Sequence, residues 1–439
     1  MTRRLVGLSL AVVLAGGCTG AVQGSGAGGG GGGGGAARGG GMPGGGSGAG
    51  GGAAGGGAAG GGAAGGGSAG GGSAGGGSAG GGSAGGGSAG GGSAGGGSAG
   101  GGSAGGGSAG GGSAGGGSAA TETVHFLGRF DTTNAAGPRF AYPGSGISAT
   151  FTGTGISISL TDQGANQFDV SIDGAPPKLL KTSGSQTPSL ASGLAPGTHT
   201  VLLVRRTEAF QGIVQFKGFT VTGGALIPTP FPFKRVIEFI GDSITCGYGN
   251  VGAMPCSFSA DTENANLAWG AVAARALDAM PVLVAYSGKG VYRNNGGSMT
   301  NLMPQVWLRT FADDASSTWD FSRITPDVVV VNLGTNDYSG GDPGAAFTTA
   351  YTAFLKQIRA KYPSANIVCT TGTMQDSAGY QARVAAAISA AQDAKVSALD
   401  LGLQNCSSEV CGCDYHPNTS THAKMAATLV ARLKTLQGW

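Results

Sequence analysis

From residue 121 onward, apolar and small polar residues alternate with a period of two. The runs are Ile147, Ala149 and Phe151, then Ile156, Ile158 and Leu160, then Phe168, Val170 and Ile172, with Val201 and Leu203, and Val214 and Phe216, further on. Such alternation places successive side chains on opposite faces, so each run predicts a short half-buried strand. Turn signals separate the runs at Pro143-Gly144, Gly153 to Gly155, Asp173-Gly174 and Pro196-Gly197. With no helical period among them, residues 121–228 read as an all-β sandwich of jelly-roll type. Phe140, Tyr142 and Phe210 read as core or rim packing and His125 and His199 as structural, and the Pro-rich stretch 227–233 reads as a stiff connector.

Beyond it the rhythm changes. Apolar strands at 236–240, 282–285, 328–333 and 367–371 alternate with helical patterns near 267–279, 347–361, 380–395 and 421–436. This is the order of a three-layer α/β domain with a mostly parallel sheet over residues 235–439. Its active residues are then expected in loops after the carboxyl ends of strands.

The first 120 residues carry neither pattern. Arg3 and Arg4, an apolar run from Leu5 to Ala15 and the pair Gly16-Gly17 before Cys18 form a signal peptide over residues 1–18. About 11 apolar residues are too few to span roughly 30 Å of hydrocarbon at 1.5 Å each. L-A-G-G-C resembles a bacterial lipobox, which implies lipidation at Cys18; Thr19 after it favours the outer membrane by the sorting rule of such proteins. Residues 19–120 hold 60 Gly in 102 positions and no acid, and Ser recurs every five residues from Ser68 to Ser118. A segment this poor in apolar side chains reads as a disordered, flexible linker, with an end-to-end distance of roughly 50–60 Å.

Charge follows the same division. Three of the 25 basic residues precede residue 121, and the other 22 face 22 acids. A formally neutral part after residue 120, without a basic block, argues against phosphate-backbone binding, so no nucleic-acid partner is expected.

The chemistry lies after residue 235. Gly241-Asp242-Ser243 follows the first strand, where a Gly permits the tight turn that exposes a nucleophilic hydroxyl. Gly334-Thr335-Asn336-Asp337 follows the strand at 328–333, and Asp414-Tyr415-His416-Pro417 precedes the last helix. Of the two His after residue 200, His416 is the candidate general base, and His422 is expected on the helix surface.

These blocks resemble the SGNH hydrolase superfamily over residues 235–439. The resemblance implies Ser243 as nucleophile, His416 as base, and an oxyanion hole from the Ser243 N–H, a Gly N–H and the Asn336 side chain. Gly290 is favoured for the Gly, with Gly288 behind it. Longer matches, G-D-S-I-T-C-G-Y-G-N from Gly241, T-E-N from Thr262, S-G-K-G-V-Y-R-N from Ser287 and D-Y-H-P-N from Asp414, preceded by H-F-L-G-R-F from His125, resemble carbohydrate esterase family 2. Members remove acetyl groups from xylan and glucomannan. Cys413 stands where the superfamily places the Asp that orients the imidazole, which implies a Ser-His dyad, with Asp414 or Glu409 as the alternative third partner. Asp242 and Asp337 are expected to fix loops, and Tyr415, beside the base, to contact substrate.

Six Cys follow Cys18, and export permits disulfides. Cys246 and Cys256 bracket a short loop after the nucleophile and are the expected pair; one pair among Cys406, Cys411 and Cys413 would hold the base loop, and Cys369 would be buried and free. A zinc site of Cys406, Cys411, Cys413 and His416 conflicts with the basic role of His416, so no metal and no organic cofactor is expected. The expectation is a monomeric serine esterase acting on acetylated polysaccharide, exported and lipid-anchored at the cell surface or outer membrane. The rival readings are an esterase of peptidoglycan acetyl groups or lipids, and a non-catalytic carbohydrate-binding surface protein.

Overall fold

The alternating runs fold as antiparallel strands because each buries one face. The computed structural model describes residues 121–375 and 378–439; the signal peptide, Cys18 and the Gly-rich segment lie outside the described residues. Strands Gly146–Gly153, Gly155–Ile172, Gly197–Arg205 and Val214–Thr222 form the body of the sandwich. The runs 156–160 and 168–172 belong to a single 18-residue strand. Its first half pairs with Val214–Thr222 and its second half with Gly197–Arg205. The change of partner falls at an irregularity between Asp162 and Ala165, where the Asp162 carboxylate accepts from the Gly164 and Asn166 N–H groups. A Cβ at Gly164 would lie 1.7 Å from the Gln211 carbonyl oxygen, so this crossing requires Gly. Strand Lys178–Gln186 has no apolar alternation to reveal it, because most of its side chains face solvent.

The second half is a five-stranded parallel sheet: β1 (Arg235–Gly241), β2 (Ala279–Ala285), β3 (Val328–Asn332), β4 (Asn366–Thr373) and β5 (Val396–Leu403), in the order β2-β1-β3-β4-β5. Helices α1 (Ser243–Cys246), α2 (Trp269–Ala276), α3 (Met303–Val306), α4 (Ala345–Lys361), α5 (Ala378–Ala391) and α6 (Thr419–Gln437) connect and cover it. The central strands are covered on both faces, hence the unbroken Val run of β3. Strand β5 was not foreseen. It is an edge strand whose side chains are largely exposed, so V-S-A-L-D-L-G-L lacks the continuous apolar signal of its neighbours.

The two halves share a core. Leu127, Ala141, Tyr142 and Ala209 of the sandwich pack in one cluster with Val282, Val284, Val306 and Trp307. Arg129, in H-F-L-G-R-F, crosses the boundary fully buried: Nη2 lies 3.3 Å from both carboxylate oxygens of Glu238 on β1, and Nη1 donates to the Trp307 and Arg309 carbonyls. Glu238 also accepts from Trp307 Nε1 at 2.6 Å and Tyr362 Oη at 3.0 Å. Every strong acceptor position of that carboxylate is thereby used, which is what a buried charge requires.

Candidate active site

Strand β1 delivers Gly241, and α1 folds back so tightly that a Cβ there would lie 2.0 Å from Thr245 Oγ1. Asp242 caps the turn by accepting the Ile244 N–H at 3.1 Å. Ser243 opens the turn, so its N–H has no partner inside it. Burial, and then the charges of Asp337 and Glu208, push the Asp242 carboxyl up to about 7.

His416 meets this turn from the other end of the domain. Its Nε2 lies 2.8 Å from Ser243 Oγ, and its Nδ1 lies 3.1 Å from the Asp414 carbonyl oxygen. A carbonyl can only accept, so Nδ1 carries the proton and Nε2 is left basic toward the hydroxyl. The Asp414 carboxylate points away and accepts from Tyr248 Oη at 2.8 Å and the Phe258 N–H at 2.9 Å. Glu409 pairs with Lys424 at the surface. Neither carboxylate therefore orients the ring; a backbone carbonyl does. Asp414 and Tyr415 hold left-handed backbone, φ 51° and 63°, which costs of order 1–3 kcal/mol each and turns the peptide carbonyl toward the imidazole. Tyr248 tilts over the ring with centroids 4.1 Å apart, a contact the G-Y-G-N match contained but did not reveal. His422 corrects its surface expectation: it is fully buried and its Nδ1 accepts the Trp269 N–H at 3.1 Å, because α6 turns that side chain onto α2.

Burial lowers the His416 pKa from 6.5, more than the Asp414 and Cys413 carbonyls and the Asp414 charge raise it. The neutral ring is the form that can accept a proton. Activity limited by this group should be full near neutrality and fall as pH drops through a midpoint below 6.5, read from the acid limb of kcat/KM. A midpoint above 6.5 would contradict the buried, carbonyl-oriented imidazole.

The loop after β2 reaches this turn through Asn336. Gly290 donates its N–H to Asn294 Oδ1 at 3.2 Å, and a Cβ there would meet the Arg293 carbonyl at 2.0 Å and the Asp337 carboxylate at 2.6 Å. Its role is close packing. Gly288 has φ 79° and open space where a Cβ would stand, and its N–H has no hydrogen-bond partner among the described residues. Asp337 fixes the loop, accepting the N–H groups of Val291, Tyr292 and Arg293 at 3.0, 2.7 and 3.0 Å. Asn336 is brought to the site, where its Nδ2 donates to Asp242 Oδ2 at 3.1 Å and to the Lys289 carbonyl at 2.9 Å.

The Cys246–Cys256 pairing does not form. Cys246 ends α1 and is buried with its Sγ 3.5 Å from Glu208 Oε2, pointing into the domain boundary and away from the loop. Cys256 instead bridges Cys413, 157 residues along, and Cys406 bridges Cys411. Both bridges hold the base loop, and they consume the cysteines of the zinc alternative; Cys369 is buried and free. Cys256→Ser should lower the unfolding free energy by about 2–4 kcal/mol and lower kcat, because Cys413 begins the turn that carries His416. Chemical denaturation beside steady-state rates checks both; an unchanged kcat would separate the bridge from the site.

Residues 126–230 match the family described as Carbohydrate esterase 2 N-terminal, and residues 239–424 match the GDSL-like Lipase/Acylhydrolase family. A family two carbohydrate esterase from Clostridium thermocellum, solved in complex with cellohexaose, is 38% identical with a TM-score of 0.69, covering 72% of this chain and 99% of that one. The chain belongs to carbohydrate esterase family 2. An acetylxylan esterase / glucomannan deacetylase of Cellvibrio japonicus is 30% identical over 321 residues, with 72% of this chain and 89% of that protein covered. Cellulase/esterase CelE of Acetivibrio thermocellus is 39% identical over 323 residues, and the match spans only 39% of its length. The family's two parts coincide with the sandwich and the α/β domain. Tyr415 is 62% exposed next to His416. Among the described residues, Glu208, Cys246 and Glu263 form a buried trio whose ligand-type atoms lie within 4.8 Å of one another.

Proposed function

We propose that this protein is an exported serine esterase that removes O-acetyl groups from plant polysaccharides such as xylan or glucomannan. The observation that carries the reading is the contact of His416 Nε2 with Ser243 Oγ at 2.8 Å, with Nδ1 held by a backbone carbonyl. The hydroxyl attacks the acetyl carbonyl as Nε2 takes its proton, and the carbonyl electrons move onto oxygen. Ser243 N–H and Gly288 N–H are the donors left open for that oxyanion; Asn336 contributes by exchanging one of its present acceptors for it. Collapse expels the sugar alkoxide, which takes the proton from His416. Water, deprotonated by the same ring, attacks the acetyl carbon; the bond to the Ser243 oxygen breaks, that oxygen takes the proton back from His416, and acetate leaves.

The Cellvibrio relative's name supports the substrate class, and the Clostridium complex supports a β-1,4-linked chain in the cleft. Tyr415 is the side chain proposed to meet it. Lipidation of Cys18 would tether the esterase to a membrane through residues 19–120. Acetate release from acetylated xylan and acetylated glucomannan by the full-length chain tests the reading, beside 4-nitrophenyl acetate as a general ester. Activity on the aryl ester with none on either polysaccharide would sink the substrate assignment. Asp414→Asn should cost less than about tenfold in kcat, since that side chain's partners are Tyr248, Phe258 and Ser257 and not the imidazole; a loss matching that of His416→Ala would restore a triad.

A further inference from the structure

The sandwich sends one carboxylate into the esterase site. Glu208 follows strand Gly197–Arg205 and is fully buried at the domain boundary. Its Oε1 accepts from Ser287 Oγ at 2.5 Å and its Oε2 from the Ser287 N–H at 2.7 Å. The same Oε2 receives the thiol of Cys246, the last residue of the turn opened by Ser243. One side chain thus touches both the nucleophile turn and the residue immediately before Gly288.

Resting on the esterase reading above, we propose that Glu208 is a positioning residue for the reaction: by gripping Ser287 through both carboxylate oxygens, it sets the Gly288 N–H and the α1 turn in fixed relation to each other. The backbone needs this help. Strand β2 ends at Ala285, Tyr286 is tied to β1 through the Gly241 carbonyl at 3.2 Å, and the loop beyond is closed by the Lys289 N–H to the Tyr286 carbonyl at 3.3 Å, the Asn295 N–H to the Gly288 carbonyl, Asn336 Nδ2 to the Lys289 carbonyl and Asp337 further on, none of which holds the Ser287 N–H or hydroxyl. Gly288, with left-handed φ and no side chain to pack, has no means of its own to hold a direction.

Glu208 is held in turn. Its N–H donates to Glu263 Oε2 at 3.0 Å, and Arg205 Nη2 donates to its carbonyl at 2.7 Å. A carboxyl oxygen of Glu263 lies within 4.8 Å of one of Glu208, and burial raises the pKa of both, that of Glu263 well above 4.5. Two buried carboxyls this close cannot both be ionised at low cost, and the two Ser287 donors favour the charge on Glu208. The groups facing the pair are Arg205, Cys246, Asp242 and Tyr286, of which only Arg205 is a cation. A single negative charge, two donors on Ser287 and one guanidinium make a balanced buried site.

The test uses the full-length chain and 4-nitrophenyl acetate. Glu208→Gln replaces one acceptor oxygen by a donor, so it can no longer receive both Ser287 groups; kcat should fall about 10- to 100-fold with KM within about twofold, as for a sub-ångström displacement of catalytic donors. Affinity for a phosphonate that mimics the tetrahedral oxyanion should fall in parallel with kcat. Ser287→Ala, which removes only the hydroxyl, should give a smaller loss, and the double variant should be no worse than Glu208→Gln alone. Wild-type kcat in soluble Glu208→Gln, or fully additive losses, would overturn the proposal. If Glu208→Gln does not fold, Ser287→Ala with unchanged kcat and phosphonate affinity overturns it equally. One equivalent of zinc in the wild-type protein, absent from Glu208→Gln, would overturn it in favour of a metal held by Glu208, Cys246 and Glu263. Ser243→Ala separates the two levels: activity surviving there defeats the esterase reading itself, whereas an inactive Ser243→Ala beside a normal Glu208→Gln defeats only the positioning role.

Discussion

Ser243→Ala is expected to lower kcat on an aryl acetate by at least about a thousandfold while leaving the fold intact, and His416→Ala to do the same. The size follows from the geometry. His416 Nε2 sits at hydrogen-bond distance from one hydroxyl, and the described residues bring no second nucleophile or base to that contact. Removing either partner leaves only the oxyanion donors and substrate binding, which alone give modest acceleration. The double variant should be no slower than either single one, because nucleophile and base act as a unit. Rates of purified proteins with matching circular dichroism decide this; equal activity of wild type and Ser243→Ala would end the serine mechanism.

The largest expected effect on stability lies at the domain boundary. Glu238→Ala strands the buried Arg129 guanidinium and removes the acceptor of Trp307 Nε1 and Tyr362 Oη, so unfolding free energy should fall by about 3–5 kcal/mol, a Tm shift on the order of 10 °C. Arg129→Met should cost less, since Glu238 keeps two neutral donors. A combined Arg129→Met and Glu238→Leu variant should recover much of the loss, because a buried ion pair stabilises little relative to apolar side chains of similar volume, whereas half of one destabilises strongly. Urea denaturation of the three proteins checks the order. Glu238→Ala within about 1 kcal/mol of wild type would show that the boundary relaxes to admit water.

The meeting of Ser243 and His416 was legible because its signals are local. G-D-S at a strand end and an isolated late His-Pro are turn and terminus chemistry, and a parallel sheet brings strand ends to one edge. The orienting group was legible only negatively, from Cys413 occupying the expected Asp place; that the substitute is the Asp414 carbonyl depends on two left-handed residues in succession. Gly288 and Gly290 are indistinguishable as letters. Their roles part only when Asn294 Oδ1 takes one N–H and Asp337 closes the space beside it. Glu208 gave no signal, being a lone acid in a β-rich segment with its partners 55 and 79 residues away.

By itself, then, the amino-acid order determined the succession of a sandwich and a parallel α/β domain, the spans of the strongly periodic elements, the neutral charge of the part after residue 120, and the identity of Ser243 and His416. Each of these depends on side-chain period, turn residues or composition within a short window, and such properties survive without the rest of the chain. The tertiary structure decided which cysteine Cys256 reaches, what orients the imidazole, which glycine keeps an open N–H, that His422 is buried, and that Arg129 and Glu208 bind the sandwich to the esterase. Those outcomes are pairings between distant segments, and a pairing has no trace in either segment until packing has brought both together and burial has forced every polar group to find its partner.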